Sequence, residues 1–127
     1  MSDLNLTDPI RCVAATIWGE ARGETFMGKV GVAWVIQNRA HNPAWWGRDL
    51  VGVCLSPHQF SCWWDKQGER VRSVDLEDPR YVEATMIAMS VIKHGFPVDP
   101  TGGADHYYAA YIPAPFWAKG RTPTAVL

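Results

Sequence analysis

Two of the chain's three Asp-Pro pairs, Asp8-Pro9 and Asp78-Pro79, each stand directly before a run of apolar residues at helical spacing. An aspartate accepts hydrogen bonds from the unpaired N–H groups that open a helix. A proline suits the first helical position because its missing N–H would have had no partner there. After the first pair, Ile10, Val13, Ala14, Ile17 and Trp18 predict an amphipathic helix ending near Gly19. After the second, Tyr81, Ala84, Thr85, Ala88 and Ile92 mark one face of a long helix that Gly95 can close. Between them, residues from about Thr25 to Ala40 are apolar on several faces: Met27, Val30, Val32, Ala33, Trp34, Val35 and Ile36. So wide an apolar surface predicts a helix in the middle of a domain. Gly28 and Gly31 on that helix would let a neighbouring backbone come close.

The remaining segments read as connections. His41 to Gly47 is a loop broken at Asn42-Pro43, and Asp49 to Leu55 can form a short helical turn before Ser56-Pro57. The polar stretch from Asp65 to Asp75 predicts an exposed connection. From Phe96 onward Gly, Pro and aromatic residues dominate, with a turn at Asp99-Pro100-Thr101-Gly102-Gly103. No repeat, low-complexity tract or linker interrupts the chain. The expectation is a single domain over residues 1–127, mainly α with at most a small hairpin. At 127 residues and 47% hydrophobic content, such a domain buries about two-thirds of its unfolded surface.

Several function classes are disfavoured. The net charge is −1 and the basic residues, such as Lys29, Arg39, Arg48, Lys66 and Arg80, form no stripe, so nucleic acid is not an expected partner. The N-terminus lacks the basic and apolar regions of a secretory signal. No apolar run approaches the ~20 residues of a membrane span. The chain therefore reads as made in the cytoplasm and not embedded in a membrane. Cys12, Cys54 and Cys62 are odd in number, which favours free thiols, although a Cys54–Cys62 bond stays open. His41, His58, His94 and His106 are scattered and no zinc-type spacing occurs, so neither metal nor cofactor is expected. There is no Gly-x-Ser-x-Gly elbow and no phosphate-binding loop. A thiol enzyme built on Cys62 and His58 lacks a placed base or orienting Asn.

Three clusters remain that can carry chemistry. In Gly19-Glu20-Ala21-Arg22-Gly23-Glu24, two carboxylates lie four apart after an apolar helix. If the turn stays helical, their Cβ atoms are on the order of 6 Å apart. Against Trp18, one carboxyl would be desolvated and its pKa raised, as a general acid near neutral pH requires. An ordinary helix end, with Arg22 balancing two surface acids, explains the same residues. Ser56-Pro57-His58-Gln59-Phe60-Ser61-Cys62-Trp63-Trp64 mixes hydrogen-bonding groups with flat aromatic faces that could grip a sugar. It reads equally as a buried loop completing the core. In Thr101-Gly102-Gly103-Ala104-Asp105-His106-Tyr107-Tyr108, His and Tyr after a glycine turn could line a cleft, or sit on a short solvated strand. Seven Trp in so short a chain exceed what a core needs, and surplus Trp is expected where sugar rings stack.

Together these clusters resemble the SleB-type cell-wall hydrolase family, which includes spore cortex-lytic enzymes and many phage lysins. The matching pieces are Ile17-Trp18-Gly19-Glu20-Ala21-Arg22-Gly23-Glu24, then Gly28 and Val32-Ala33-Trp34-Val35-Ile36-Gln37-Asn38-Arg39. Gln59-Phe60-Ser61-Cys62-Trp63 follows, then Asp99-Pro100-Thr101-Gly102-Gly103-Ala104 leading into Tyr107-Tyr108. The resemblance implies a lysozyme-like, lytic-transglycosylase-like domain that cleaves peptidoglycan between N-acetylmuramic acid and N-acetylglucosamine. It implies Glu20 as the catalytic acid, with formation of 1,6-anhydromuramoyl ends. Glu24, Gln59, Tyr107 and Tyr108 are expected to position sugar or orient Glu20, and Phe60, Ser61, Trp63 and His106 to contact substrate. Asn38 and Arg39 are expected as polar anchors. Should a second catalytic carboxylate exist, Glu24 or Asp105 is the candidate, and hydrolysis by water follows. The rival readings are a non-catalytic peptidoglycan-binding module and a wall amidase. Trp18 stands where spore enzymes often carry His, and relatives commonly run on to a basic and aromatic ending beyond Leu127. The first of these departures resembles the phage branch. The setting this implies is a monomeric endolysin made in a host cytoplasm, reaching peptidoglycan strands after release through a membrane lesion.

Overall fold

The computed structural model describes residues 5–57, 59–107, 115, 118 and 125–127. Asp8 opens helix α1 (Pro9–Ala21) by accepting from the N–H groups of Ile10 and Arg11. Thr25 caps α2 (Phe26–His41) through the N–H of Gly28, and Asp49 caps the short α3 (Leu50–Cys54) through that of Gly52. A 3-10 turn (Ser61–Trp63) leads into α4 (Asp65–Arg72). Asp78 caps α5 (Pro79–His94), which ends on Gly95 in the left-handed region at φ 62°. These two Asp-Pro pairs thus do what their chemistry predicts. Among the described residues there is no β-strand, only an isolated bridge between Ala44 and Gly47. The residues beyond Tyr107, where the tail could form a hairpin, lie mostly outside the description.

The centre of the molecule is α1. It packs against α2, α3, α4, α5 and the 3-10 turn, and eight of its thirteen residues are buried. The sequence pattern favoured α2 for that place, because α2 carries the larger apolar side chains. What selects α1 is its small residues: Cys12, Ala14, Ala15, Thr16 and Gly19 let neighbours approach from every side. On α2, the close neighbour of Gly31 is the side chain of Leu127 rather than a backbone.

Polar side chains fix the arrangement. The Thr16 hydroxyl donates to the Cys12 carbonyl at 2.9 Å and accepts from the Trp63 indole N–H at 2.9 Å, both inside the core. A Cβ at Gly19 would lie 2.6 Å from the Cβ of Cys62, so the 3-10 turn rests directly on the last turn of α1. The three cysteines are buried free thiols, and no Cys54–Cys62 bond forms.

The stretch 65–75 differs from the exposed connection its composition predicts, because residues 65–72 are helical. Val71 is the one buried large apolar residue of helix 65–72, so no apolar stripe advertises the helix. Gly68 is required there because a side chain would collide with the Trp63 carbonyl. Arg72 donates to that same carbonyl at 3.2 Å and lies over the Trp63 ring.

Replacing Thr16 by Val should strand the buried Trp63 indole N–H. A loss of about 1–3 kcal/mol of unfolding free energy is expected in urea titrations, with Thr16→Ser closer to wild type.

Candidate active site

Glu20 occupies the last turn of α1, one residue past the glycine on which the 3-10 turn sits. That contact brings the Ser61 hydroxyl to 3.5 Å from Glu20 Oε2, and the backbone N–H groups of Ser61 and Cys62 also face the carboxyl. Burial raises the Glu20 pKa above the usual carboxylate value, and the Ser61 and Cys62 donors only partly offset it. A carboxyl whose pKa is raised by burial, yet which is fixed in direction by donors, suits a group that must deliver a proton. Trp18 does not supply the desolvation. Residues two apart on a helix point to nearly opposite sides, and the Trp18 ring is covered instead by Arg22, at 4.5 Å.

The tail reaches the same region through anchors on α2. Asp99 accepts from the N–H and hydroxyl of Thr101, from the N–H of Gly103, and from the Asn38 amide at 3.0 Å. Burial alone would raise the Asp99 carboxyl, but these donors outweigh it and hold the pKa below the usual value. Asn38 also donates to the Ala104 carbonyl at 3.0 Å, and Arg39 Nε to the Asp105 carbonyl at 2.7 Å. Arg39 is only 5% exposed, with its guanidinium over the rings of Trp46 and Phe60. This pinning sets Tyr107 beside the Phe60 ring, centroids 6.4 Å apart. Tyr107 is 40% exposed as a whole residue, while burial, followed by the nearby Glu20 charge, holds its pKa well above the usual tyrosine value. Tyr107 is therefore a neutral donor next to the acid.

The other sequence-predicted residues divide sharply. Ser61 and Tyr107 join Glu20. Phe60 and Trp63 do not offer a sugar face: at 2% and 1% exposure they belong to the core, the loop being held by apolar packing on α1 and by the Thr16 bond. Glu24 lies past the end of α1 in an exposed turn, where its N–H donates to the Ala21 carbonyl, because the helix stops at Ala21. Gln59 is half-buried at the head of the 3-10 turn. His106 pairs with Asp105 at 2.7 Å and packs edge-on to Trp46 at 6.1 Å. Tyr108 and His58 lie outside the described residues. Trp45 was legible only as one of a surplus of Trp; it is 66% exposed and sits 6.4 Å from the His106 ring. No group of three metal-binding side chains occurs among the described residues.

A family model described as cell wall hydrolase matches residues 23–127. The chain belongs to the SleB-type cell wall hydrolase family. The matched stretch begins just after Glu20, so the carboxyl rests on its geometry here and not on that match. A spore cortex-lytic enzyme of Halalkalibacterium halodurans is 32% identical over 112 residues, which is 88% of this chain and 30% of that protein. A spore cortex-lytic enzyme of Bacillus subtilis is 40% identical over 58 residues, 46% of this chain and 19% of the relative. The chain thus spans less than a third of the length of these relatives. The crystal structure of the catalytic domain of the Bacillus cereus SleB protein superposes with a TM-score of 0.69 at 26% identity. The match covers 90% of this chain and 80% of that one. The fold of this family member is accordingly the lysozyme-like, mainly helical one.

Two expectations follow for this hydrolase. Because Glu20 has a raised folded-state pKa, its ionisation opposes folding at neutral pH, and this cost disappears as pH falls through that pKa. Glu20→Gln should therefore melt at or above the wild-type temperature at pH 7, with the gap closing on acidification. Asp99 behaves oppositely. Its depressed pKa contributes stability above the usual carboxylate range that is lost as pH falls through the folded-state value. Asp99→Asn should be less stable than wild type at pH 7, and the difference should shrink in acid melts.

Proposed function

We propose that this chain degrades peptidoglycan by cleaving the β-1,4 bond between N-acetylmuramic acid and N-acetylglucosamine, with Glu20 as the proton donor, as a lytic transglycosylase. The observation that carries the reading is the Glu20 carboxyl itself, raised in pKa by burial and oriented by Ser61 and Cys62. Family membership and the cortex-lytic relatives support the substrate class. Glu20 protonates the bridging oxygen as the C1–O bond breaks. As a carboxylate it then removes the proton from the muramoyl C6 hydroxyl, which attacks C1 and closes the 1,6-anhydro ring. The substrate's own acetamido group shelters the positive charge at C1, so the reaction needs one carboxyl only. In line with this, the influences on Glu20 among the described residues are its burial and the donors of Ser61 and Cys62. Tyr107 keeps a neutral hydroxyl beside Glu20 to steady it as its charge changes. The exposed face of Trp45, next to His106, suits stacking of a sugar ring. Gln59, Glu24 and Tyr108 complete the proposed contacts with the strand. The same reading sets the enzyme to work as a monomeric phage endolysin, made in a host cytoplasm and released to the wall. No helix among the described residues is long and apolar enough to cross a membrane.

Digesting purified sacculi and weighing the fragments by mass spectrometry tests the proposal. Anhydromuramoyl ends are expected. Reducing muramic acid ends, heavier by one water, would replace it with a hydrolytic muramidase. New amino groups without new glycan ends would indicate an amidase, and bound but undigested sacculi a binding module. Glu20→Gln keeps the shape but has no transferable proton, so its rate should fall by at least ~100-fold. Wild-type kcat/KM should decline as pH rises past the elevated Glu20 pKa.

A further inference from the structure

Outside the Glu20 site, Trp18, Arg22, Arg70, Asp78, Pro79 and Arg80 line an open hollow of about 350 Å³. Three guanidinium groups converge on it from the end of α1, from α4 and from the first turn of α5. The ion pairs of the described residues are Arg11–Asp8, Lys29–Glu83 and His106–Asp105, so none of these three arginines has one. The single acid present is already engaged: Asp78 caps α5 by accepting from the Arg80 N–H at 2.8 Å. The arginines also act on one another. Burial, then the charges of Arg70 and Arg80, hold the Arg22 pKa below its usual value. Arg22 is fixed in place, its Nη1 donating to the Trp18 carbonyl at 3.2 Å while the guanidinium stacks 4.5 Å from the Trp18 ring. Arg70 approaches the same ring at 6.0 Å. Trp18 is only 7% exposed, and its buried indole N–H has no partner. Three guanidinium charges against the one carboxylate of Asp78, whose charge also acts on Arg22, leave the lining with an excess of positive charge that a bound anion offsets, and guanidinium forks match the two oxygens of a carboxylate.

The position of the hollow identifies the anion. Trp18 and Glu20 are two residues apart on α1, hence about 200° around its axis. The hollow therefore lies across the end of α1 from the acid, a helix width of about 10–12 Å away. An extended peptide covers about 3.3–3.6 Å per residue, so three or four residues span that gap. In peptidoglycan the lactyl carboxyl of the muramoyl sugar is consumed in the amide bond to the stem peptide, which leaves the free carboxylates on the peptide. We propose that Arg22, Arg70 and Arg80 form a secondary site that binds a stem-peptide carboxylate of the strand held at Glu20. This rests on peptidoglycan being the substrate of Glu20. The site makes the enzyme a reader of the peptide as well as the glycan, and gives it a preference for strands whose stems are intact.

The test uses the charge-removing double variant Arg70→Gln/Arg80→Gln, both positions being exposed. Its fold is checked by circular dichroism. KM is measured on sacculi freed of anionic wall polymers, either with stems intact or with stems removed by an amidase. Wild type should show the lower KM on stem-bearing glycan. The double variant should lose about tenfold on that substrate, bringing the ratio of the two KM values near one. Added salt should erode the wild-type preference and leave the variant unmoved. An identical KM ratio in wild type and variant would overturn the site. If wild type cuts neither substrate, the reading of Glu20 fails instead. Co-sedimentation of each protein with intact and stripped sacculi then decides the arginine site alone: stem-dependent binding lost in the variant sustains it, and equal binding overturns it.

Discussion

A side chain at position 19 would bring its Cβ within 2.6 Å of Cys62, so the 3-10 turn Ser61–Trp63 can seat on α1 only because residue 19 has none. From that contact follow the position of Ser61 beside Glu20, the burial of Trp63 and its bond to Thr16, and the start of α4 against the Trp63 carbonyl. The glycine costs helix propensity in the last turn of α1. The dense packing gained around it offsets that cost. It also carries two donating N–H groups to a carboxyl that would otherwise be buried with too little hydrogen bonding.

Glu20 shows how a site is kept at the edge of what folding tolerates. Full burial without partners would neutralise the carboxyl permanently, and full exposure would leave an ordinary acid, ionised at neutral pH. The structure sits between these, because the last turn of α1 is covered on one side by the 3-10 turn and remains half-open on the other. Tyr107 adds a hydroxyl whose own burial keeps it protonated. Its placement depends on a chain of polar anchors, Asn38 and Arg39 on α2 gripping the backbone from Asp99 to Asp105. Buried polar groups of this kind fix a geometry that apolar packing alone would leave loose.

The two sides of the α1 terminus are chemically opposite. Glu20, with its pKa raised by burial, and Tyr107 face one side, whereas Trp18 supports a cluster of guanidinium charges. In a chain whose net charge is −1, this local concentration is a property of the fold. Arg22, Arg70 and Arg80 are far apart in sequence and meet only because α4 and α5 both pack on α1.

The caps, the long helices and the first of the three clusters were legible in the sequence, because a capping aspartate, a following proline and a 3.6-residue apolar period act locally. Glu20 was singled out by the resemblance of its motif to the family, its spacing from Glu24 alone fitting an ordinary helix end equally well, and Gly95 was legible as a helix end by its freedom at positive φ. The sequence did not decide which helix is central, since that depends on how small side chains on α1 admit five neighbours at once. It did not reveal α4, whose stability comes from Trp63 and Arg72 rather than from a stripe of its own. Nor could it sort Phe60 and Trp63 from Ser61 and Tyr107, because an aromatic ring in a loop is core or binding face according to what packs on it. Local chemistry set the helices, and the resemblance of the motif around Glu20 singled out that carboxyl. The environment that raises its pKa is a sum over residues dozens of positions away, and only the tertiary structure brings them together.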